Sequence, residues 1–129
     1  MKNIKKILAL ILTLGFALSA MPMFSLAAGV VERGTCGADG NNLTWTLDSN
    51  GLLIISGEGA MKDYERYSVA PWYDYTVQTV IIDDGVTTIG EYAFYYCDSL
   101  TSVTIPVSVT TIGSYEFRWC PVLADIYYG

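Results

Sequence analysis

The sequence predicts a mainly β protein in which a β-hairpin module caps a short solenoid of stacked coils. Three observations lead there. Residues 80–102 (VIIDDGVTTIGEYAFYYCDSLTS) reappear position by position in residues 103–125 (VTIPVSVTTIGSYEFRWCPVLAD). Within each copy the first apolar residues are spaced by two, as in a strand, and apolar positions return after a turn. Upstream, Leu43, Trp45 and Leu47 alternate with Thr44 and Thr46 ahead of Asp48-Ser49-Asn50-Gly51, a strand running into a hairpin turn.

The chain opens with a segment unlike the rest. Lys2, Lys5 and Lys6 precede an apolar run from Ile7 to Ala20, and Ser25-Leu26-Ala27-Ala28 closes it. This order of charged, apolar and small residues is that of a secretory signal peptide over residues 1–27, cleaved after Ala27 or alternatively after Ala28. The competing reading is an uncleaved N-terminal anchor, because Ile7 to Ala28 is long enough to span a bilayer. Pro22 and Ser25 interrupt the run and favour cleavage. No later stretch is long and apolar enough for a transmembrane helix, so the expected product is secreted or held at the cell surface, with no membrane span after cleavage.

Charge narrows the function classes. The 129 residues hold 7 Lys+Arg against 13 Asp+Glu, no His and 3 Cys. Beyond the leader only Arg33, Lys62, Arg66 and Arg118 oppose all 13 carboxylates, a formal charge of −9. Nucleic acid is an unsuited partner, since phosphate binding draws its affinity from clustered cations. Without His, a Ser-His-Asp triad, a Cys-His pair and the ordinary zinc sites fall away. No enzymatic activity, catalytic residue, cofactor or metal is expected.

Residues 28–79 read as the capping module. After the strand at Leu43–Leu47 and its turn, Leu52 to Ser56 returns, and the Gly57-Glu58-Gly59 bend and the Pro71-Trp72 pair follow. Residues 80–129 read as repeats: 80–102, 103–125 and a partial third copy at 126–129. Val80, Ile82, Val86, Ile89, Gly90, Tyr92, Phe94, Cys97 and Leu100 align with Val103, Ile105, Val109, Ile112, Gly113, Tyr115, Phe117, Cys120 and Leu123. A 23-residue period falls in the range of leucine-rich repeats, each supplying one short strand and a turn-rich return path. Gly90 and Gly113 are read as sharp bends. The Tyr-x-Phe and Cys-x-x-Leu pairs are expected to fill the convex side, each coil stacking on the next.

The segment SLTSVTIPVSVTTIGSYEFRWC resembles the repeat of the BspA-type leucine-rich repeat proteins of bacterial surfaces. Asp83 stands where the second copy has Pro106, and Glu116 where the first has Ala93, so the Glu116 carboxylate must reach solvent or a partner. GTCG, LTWTLDSNGLLIISGEGAM and APWYDY resemble the non-repetitive N-terminal module of the same proteins. The resemblance implies an exported, non-catalytic leucine-rich repeat protein acting in protein-protein recognition or adhesion, its partner a host or neighbouring-cell surface protein. An alternative is a truncated capping fragment of a longer surface protein, with no complete binding face.

Candidate sites come from the repeat geometry. Cys97 and Cys120 share a slot, so their Cα atoms should lie about 5 Å apart, but stacked coils aim equivalent Cβ vectors in parallel. Two buried thiols are therefore expected in place of a bridge, while Cys36, outside that ladder, is free or paired. Asp83-Asp84 falls in a turn, and Asp63, Glu65 and Asp74 in loops, so no acid pair faces across a cleft as a glycosidase needs. Asp48-x-Asn50-Gly51 lacks the remaining positions of a calcium loop, and Gly57-x-Gly59 is too short for a phosphate fingerprint. Tyr96 and Trp119, equivalent by the repeat shift, either form an outward aromatic strip suited to an interface or shield the convex edge. The outward strand face holds Thr79, Ile81, Ser102, Thr104, Asp125 and Tyr127 and is mostly small. Thr104, Tyr127, Tyr96 and Trp119 are the candidate protein-binding residues, and the strand at Ile126–Tyr128 is an open edge through which copies could self-associate.

Overall fold

The hairpin predicted from Leu43 to Ser56 forms, joined by a strand before it. In the computed structural model, which describes residues 29–129, β1 (Val30–Gly37) runs antiparallel to β2 (Gly40–Asp48), and β2 antiparallel to β3 (Leu52–Gly57). The expected signal peptide, residues 1–27, lies outside the described residues. The β2–β3 turn is tied by Asp48, whose carboxylate accepts from the backbone N–H of Asn50 at 2.8 Å and of Leu52 at 3.0 Å. Gly51 takes the left-handed φ of 80° that this turn needs. The Asp48-x-Asn50-Gly51 segment is thus a hairpin turn.

From β3 onward every pairing is parallel. β3 pairs with β5 (Thr79–Ile82), β5 with β7 (Ser102–Ile105), and β7 with β9 (Asp125–Tyr128), giving a six-stranded sheet in the order β9-β7-β5-β3-β2-β1. A second sheet stacks β4 (Gly59–Ala60), β6 (Val86–Ile89) and β8 (Thr111–Ile112). The third side of each coil is the turn-rich stretch that includes Tyr92 to Cys97 and its equivalents. The solenoid therefore begins one coil before the sequence repetition does. Leu52 to Gln78 makes a coil of the same stack, stepping 27 residues to the next where the later coils step 23.

Packing follows the slots. Leu53 and Ile55, Val80 and Ile82, and Val103 and Ile105 point inward from successive strands and are buried. Trp72 takes the place in the first coil that Phe94 and Phe117 take in the next two. Its ring stacks on Phe94 at 5.8 Å, and Phe94 on Phe117 at 5.6 Å. Trp45 and Tyr64 meet Trp72 edge-on, and Trp72 Nε1 donates to the Ala93 carbonyl at 2.8 Å, joining the cap to the repeats. Val77 and Leu100 are buried beside a corner ladder in which Gln78 N donates to Gly51 O, Thr101 N to Gln78 O and Ala124 N to Thr101 O.

Two expectations need correction. Gly90 and Gly113 are not the bends: neither adopts positive φ, and a Cβ on Gly90 would strike the Lys62 carbonyl, one on Gly113 the Glu91 nitrogen at 2.6 Å. These glycines let neighbouring coils approach, and the bends fall instead at Tyr92 and Tyr115, with φ of 55° and 58°. Ile112, expected inside, is 39% exposed, because its ring of neighbours is complete only toward the preceding coil. Asp83, the departure from Pro106, uses what proline lacks. Its N–H donates to Ile55 O at 2.9 Å and its carboxylate accepts from Ser56 Oγ at 2.8 Å.

Candidate ligand-binding surface

Parallel register turns single positions into rows. Across the outward face of the six-stranded sheet, Arg33 lies opposite Thr46, Thr46 opposite Ile54, Ile54 beside Ile81, Ile81 beside Thr104 and Thr104 beside Tyr127. Thr104 is exposed and Tyr127 is 56% exposed, while the two isoleucines are half-buried. The row grades from a cation through small and apolar side chains to a phenol. Because period-2 alternation sends Val80, Val103 and their neighbours inward, every second strand residue is left for this face.

The turn side carries the aromatic residues. Tyr96 stacks on Trp119 with centroids 5.9 Å apart and planes 15° apart, and the rings are 44% and 54% exposed. Tyr92 lies over Tyr115 at 5.2 Å. The backbone beneath is fixed between coils: Tyr92 N donates to Ser114 O, Phe94 N to Glu116 O and Tyr96 N to Arg118 O, the last at 3.0 Å. Tyr92, Tyr96, Tyr115 and Trp119 all have φ between 55° and 63°, a left-handed conformation that costs a side-chain-bearing residue about 1–2 kcal/mol. The Arg118 guanidinium lies 5.3 Å from the Tyr115 ring centre and 5.7 Å from that of Trp119.

Three clefts adjoin these elements. One of about 330 Å³ is lined by Cys36, Lys62 and Tyr64 among others. A second, about 210 Å³, holds Asp74, Asp98 and one side of Tyr96. The third, about 240 Å³, is lined by Arg66, Tyr92, Tyr95, Tyr115, Arg118 and Trp119. The cysteines are free thiols: Cys36 and Cys97 are buried, and Cys120 donates to Phe94 O at 3.0 Å. Burial pushes Cys36 and Cys97 up to about 12 and raises Cys120 as well, so these thiols stay protonated at neutral pH.

The structure thus joins Tyr96 to Trp119 and Thr104 to Tyr127, but sets the two pairs on different sides of the coil. Arg33, Thr46 and Ile54 complete the sheet row, and Arg66, Tyr92 and Tyr115 the third cleft; none was singled out by sequence. The 23-residue shift does pair Tyr92 with Tyr115 and was a usable signal. Arg66 sits in a loop outside the repeats and carries none.

Stacked parallel coils with one strand in each of two sheets define a β-solenoid of leucine-rich repeats, a class whose members are generally non-enzymatic and bind proteins. Residues 71–128 match the family described as "BspA type Leucine rich repeat region (6 copies)", so this region carries repeats of that type. A leucine-rich repeat protein from Eubacterium ventriosum ATCC 27560 is 32% identical with a TM-score of 0.66, over 75% of this chain and 26% of that one. A leucine rich cell surface protein from Faecalibacterium prausnitzii A2-165 is 26% identical with a TM-score of 0.45, over 66% of this chain and 28% of that one. The chain spans about a quarter of the length of these solved structures. Comparison with curated proteins gave no match.

Proposed function

We propose that this chain is an exported, non-catalytic recognition module that binds a protein of a host or neighbouring cell at the bacterial surface. The observation that carries the reading is the outward row Arg33-Thr46-Ile54-Ile81-Thr104-Tyr127, exposed at Arg33, Thr104 and Tyr127 and half-buried between, held in register across six hydrogen-bonded strands. A rigid strand face loses little conformational entropy on binding, and stacked coils commonly bind along such a surface. Thr104 and Tyr127 are the central contacts, and the exposed Tyr96 and Trp119 pair adds a second contact on the turn side. Export follows from the leader, with cleavage after Ala27, and N-terminal sequencing of secreted chain beginning at Ala28 checks it.

Site-specific photocrosslinking tests the face. A benzophenone side chain at position 104 or 127 of the full chain, irradiated on intact cells, should give discrete protein adducts, whereas the same group at exposed Thr110 should give few. Equal yields from positions 104 and 110, or none from 104 and 127, would overturn the assignment.

A further inference from the structure

The cleft beside Trp119 has a composition that protein recognition along the strand face does not use. Beyond the leader the chain has four cations against 13 carboxylates, yet two of the four, Arg66 and Arg118, line this one cleft. They come from different places: Arg66 from the loop of the first coil, Arg118 from the turn side of the third. The rest of the lining is the phenols of Tyr92, Tyr95 and Tyr115 and the indole of Trp119. Arg118 lies over both Tyr115 and Trp119, so its guanidinium is oriented by π faces that leave its N–H fork free for a planar anion.

Backbone strain singles out the same residues. Tyr92, Tyr115 and Trp119, with Tyr96 behind, hold left-handed φ values that Gly or Asn would adopt at little cost. Bulky rings at such positions persist where the surrounding structure over-determines them and the display is used. Here inter-coil hydrogen bonds at Tyr92 and Tyr96 fix the backbone. Tyr115 at 50% and Trp119 at 54% exposure leave ring surface open to a ligand.

We propose that this cleft binds the terminal residue of an acidic carbohydrate, a sugar ring bearing one carboxylate. Its carboxylate takes the Arg118 and Arg66 guanidinium groups, its hydroxyls the phenols, and its C–H face the Trp119 indole. About 240 Å³ accommodates one such ring. The hydroxyl-lined wall matches a hydroxyl-rich ligand better than an apolar peptide side chain. The formal charge of −9 repels a polyacidic peptide, whereas a single carboxylate meets the local cations within a screening length of about 8–10 Å. This inference goes beyond protein recognition and stands independently of it.

The test is calorimetric titration of the mature chain, from Ala28, with three probes: an oligosaccharide ending in glucuronic acid, its glucose-ended counterpart, and a Glu-rich peptide. The glucuronate-ended sugar should bind at least ~10-fold tighter than the neutral one, since a charge-assisted pair is worth about 1.5–3 kcal/mol. Arg118→Ala and Arg66→Ala should each weaken it about 10-fold, and Arg118→Lys should restore binding only in part, because Lys keeps the charge but not the fork. Both arginines are exposed, so circular dichroism should show folded variants. Equal affinity for the two sugars, affinity unmoved by either alanine, or preference for the peptide overturns the proposal. Thr104→Arg, on the strand face, should leave sugar binding unchanged, which separates this outcome from the fate of the protein-recognition reading.

Discussion

Replacing Trp72 by Phe is the sharpest probe of how the cap and the repeats hold together. Trp72 is fully buried between Trp45 and Tyr64 on the cap side and Phe94 on the repeat side. Phenylalanine keeps a ring for the stack but deletes the 2.8 Å bond from Nε1 to Ala93 O. A buried carbonyl left without its donor costs about 1–3 kcal/mol. The missing part of the indole removes about 1–2 kcal/mol of buried apolar surface and packing. Together the loss is about 2–5 kcal/mol, or roughly 8–40 °C at about 4–8 °C per kcal/mol for a domain of this size. Urea and thermal unfolding followed by circular dichroism measure it, with Trp119→Phe, at a half-exposed site, as a control expected to shift stability by less than about 1 kcal/mol. A Trp72→Phe loss below about 1 kcal/mol would refute the reasoning, because it would mean that the indole neither fills the core nor bridges the cap to Ala93.

Other expectations follow from the same contacts. At Tyr96, φ of 61° makes Tyr96→Gly more stable than Tyr96→Ala by about 1 kcal/mol, since both lose the ring and only Gly is relieved of the left-handed backbone; chemical denaturation of the pair reads the difference. Glu116 has a buried carboxylate oxygen without a partner where the preceding coil has Ala93, so Glu116→Ala should stabilise by about 1 kcal/mol in the same assay. Burial raises the Cys36 and Cys97 thiols from 9.0 to about 12. Below pH 9 both folded and unfolded thiols are protonated and stability is unaffected; from about pH 9 to 12 only the unfolded chain ionises, so stability falls as pH rises. Both thiols should accordingly resist alkylation at pH 8 until the chain is denatured, as mass spectrometry would show.

What was legible in the sequence was what repeats. The shift from Val80 to Val103 carried strand, turn and core slots together, and the alternation around Trp45 carried the hairpin. The coil from Leu52 to Gln78 was hidden because the stretch from Lys62 to Val69 lengthens its step to 27 and Trp72 replaces the Phe of the slot. Nothing in a tyrosine or tryptophan announces positive φ, so the sequence points to the neighbouring glycines for bends that fall at Tyr92 and Tyr115. The stacking of Tyr96 on Trp119 followed from their shared slot, and the row from Thr104 to Tyr127 from strand alternation. Extending that row to Ile54, Thr46 and Arg33 required the register of nonequivalent strands, which no sequence period encodes.

The central claim is that the cap and the repeats are one continuous stack, rigid enough to display a surface. Native-state hydrogen exchange read by mass spectrometry measures this strand by strand. Amides of Leu53–Ile55 and Val80–Ile82 should exchange together, at the free energy of global unfolding, because their strands share one parallel ladder. Rapid exchange at Val80–Ile82 beside a protected Leu43–Gly57 hairpin would contradict it, dividing the chain into a folded cap and loosely held repeats.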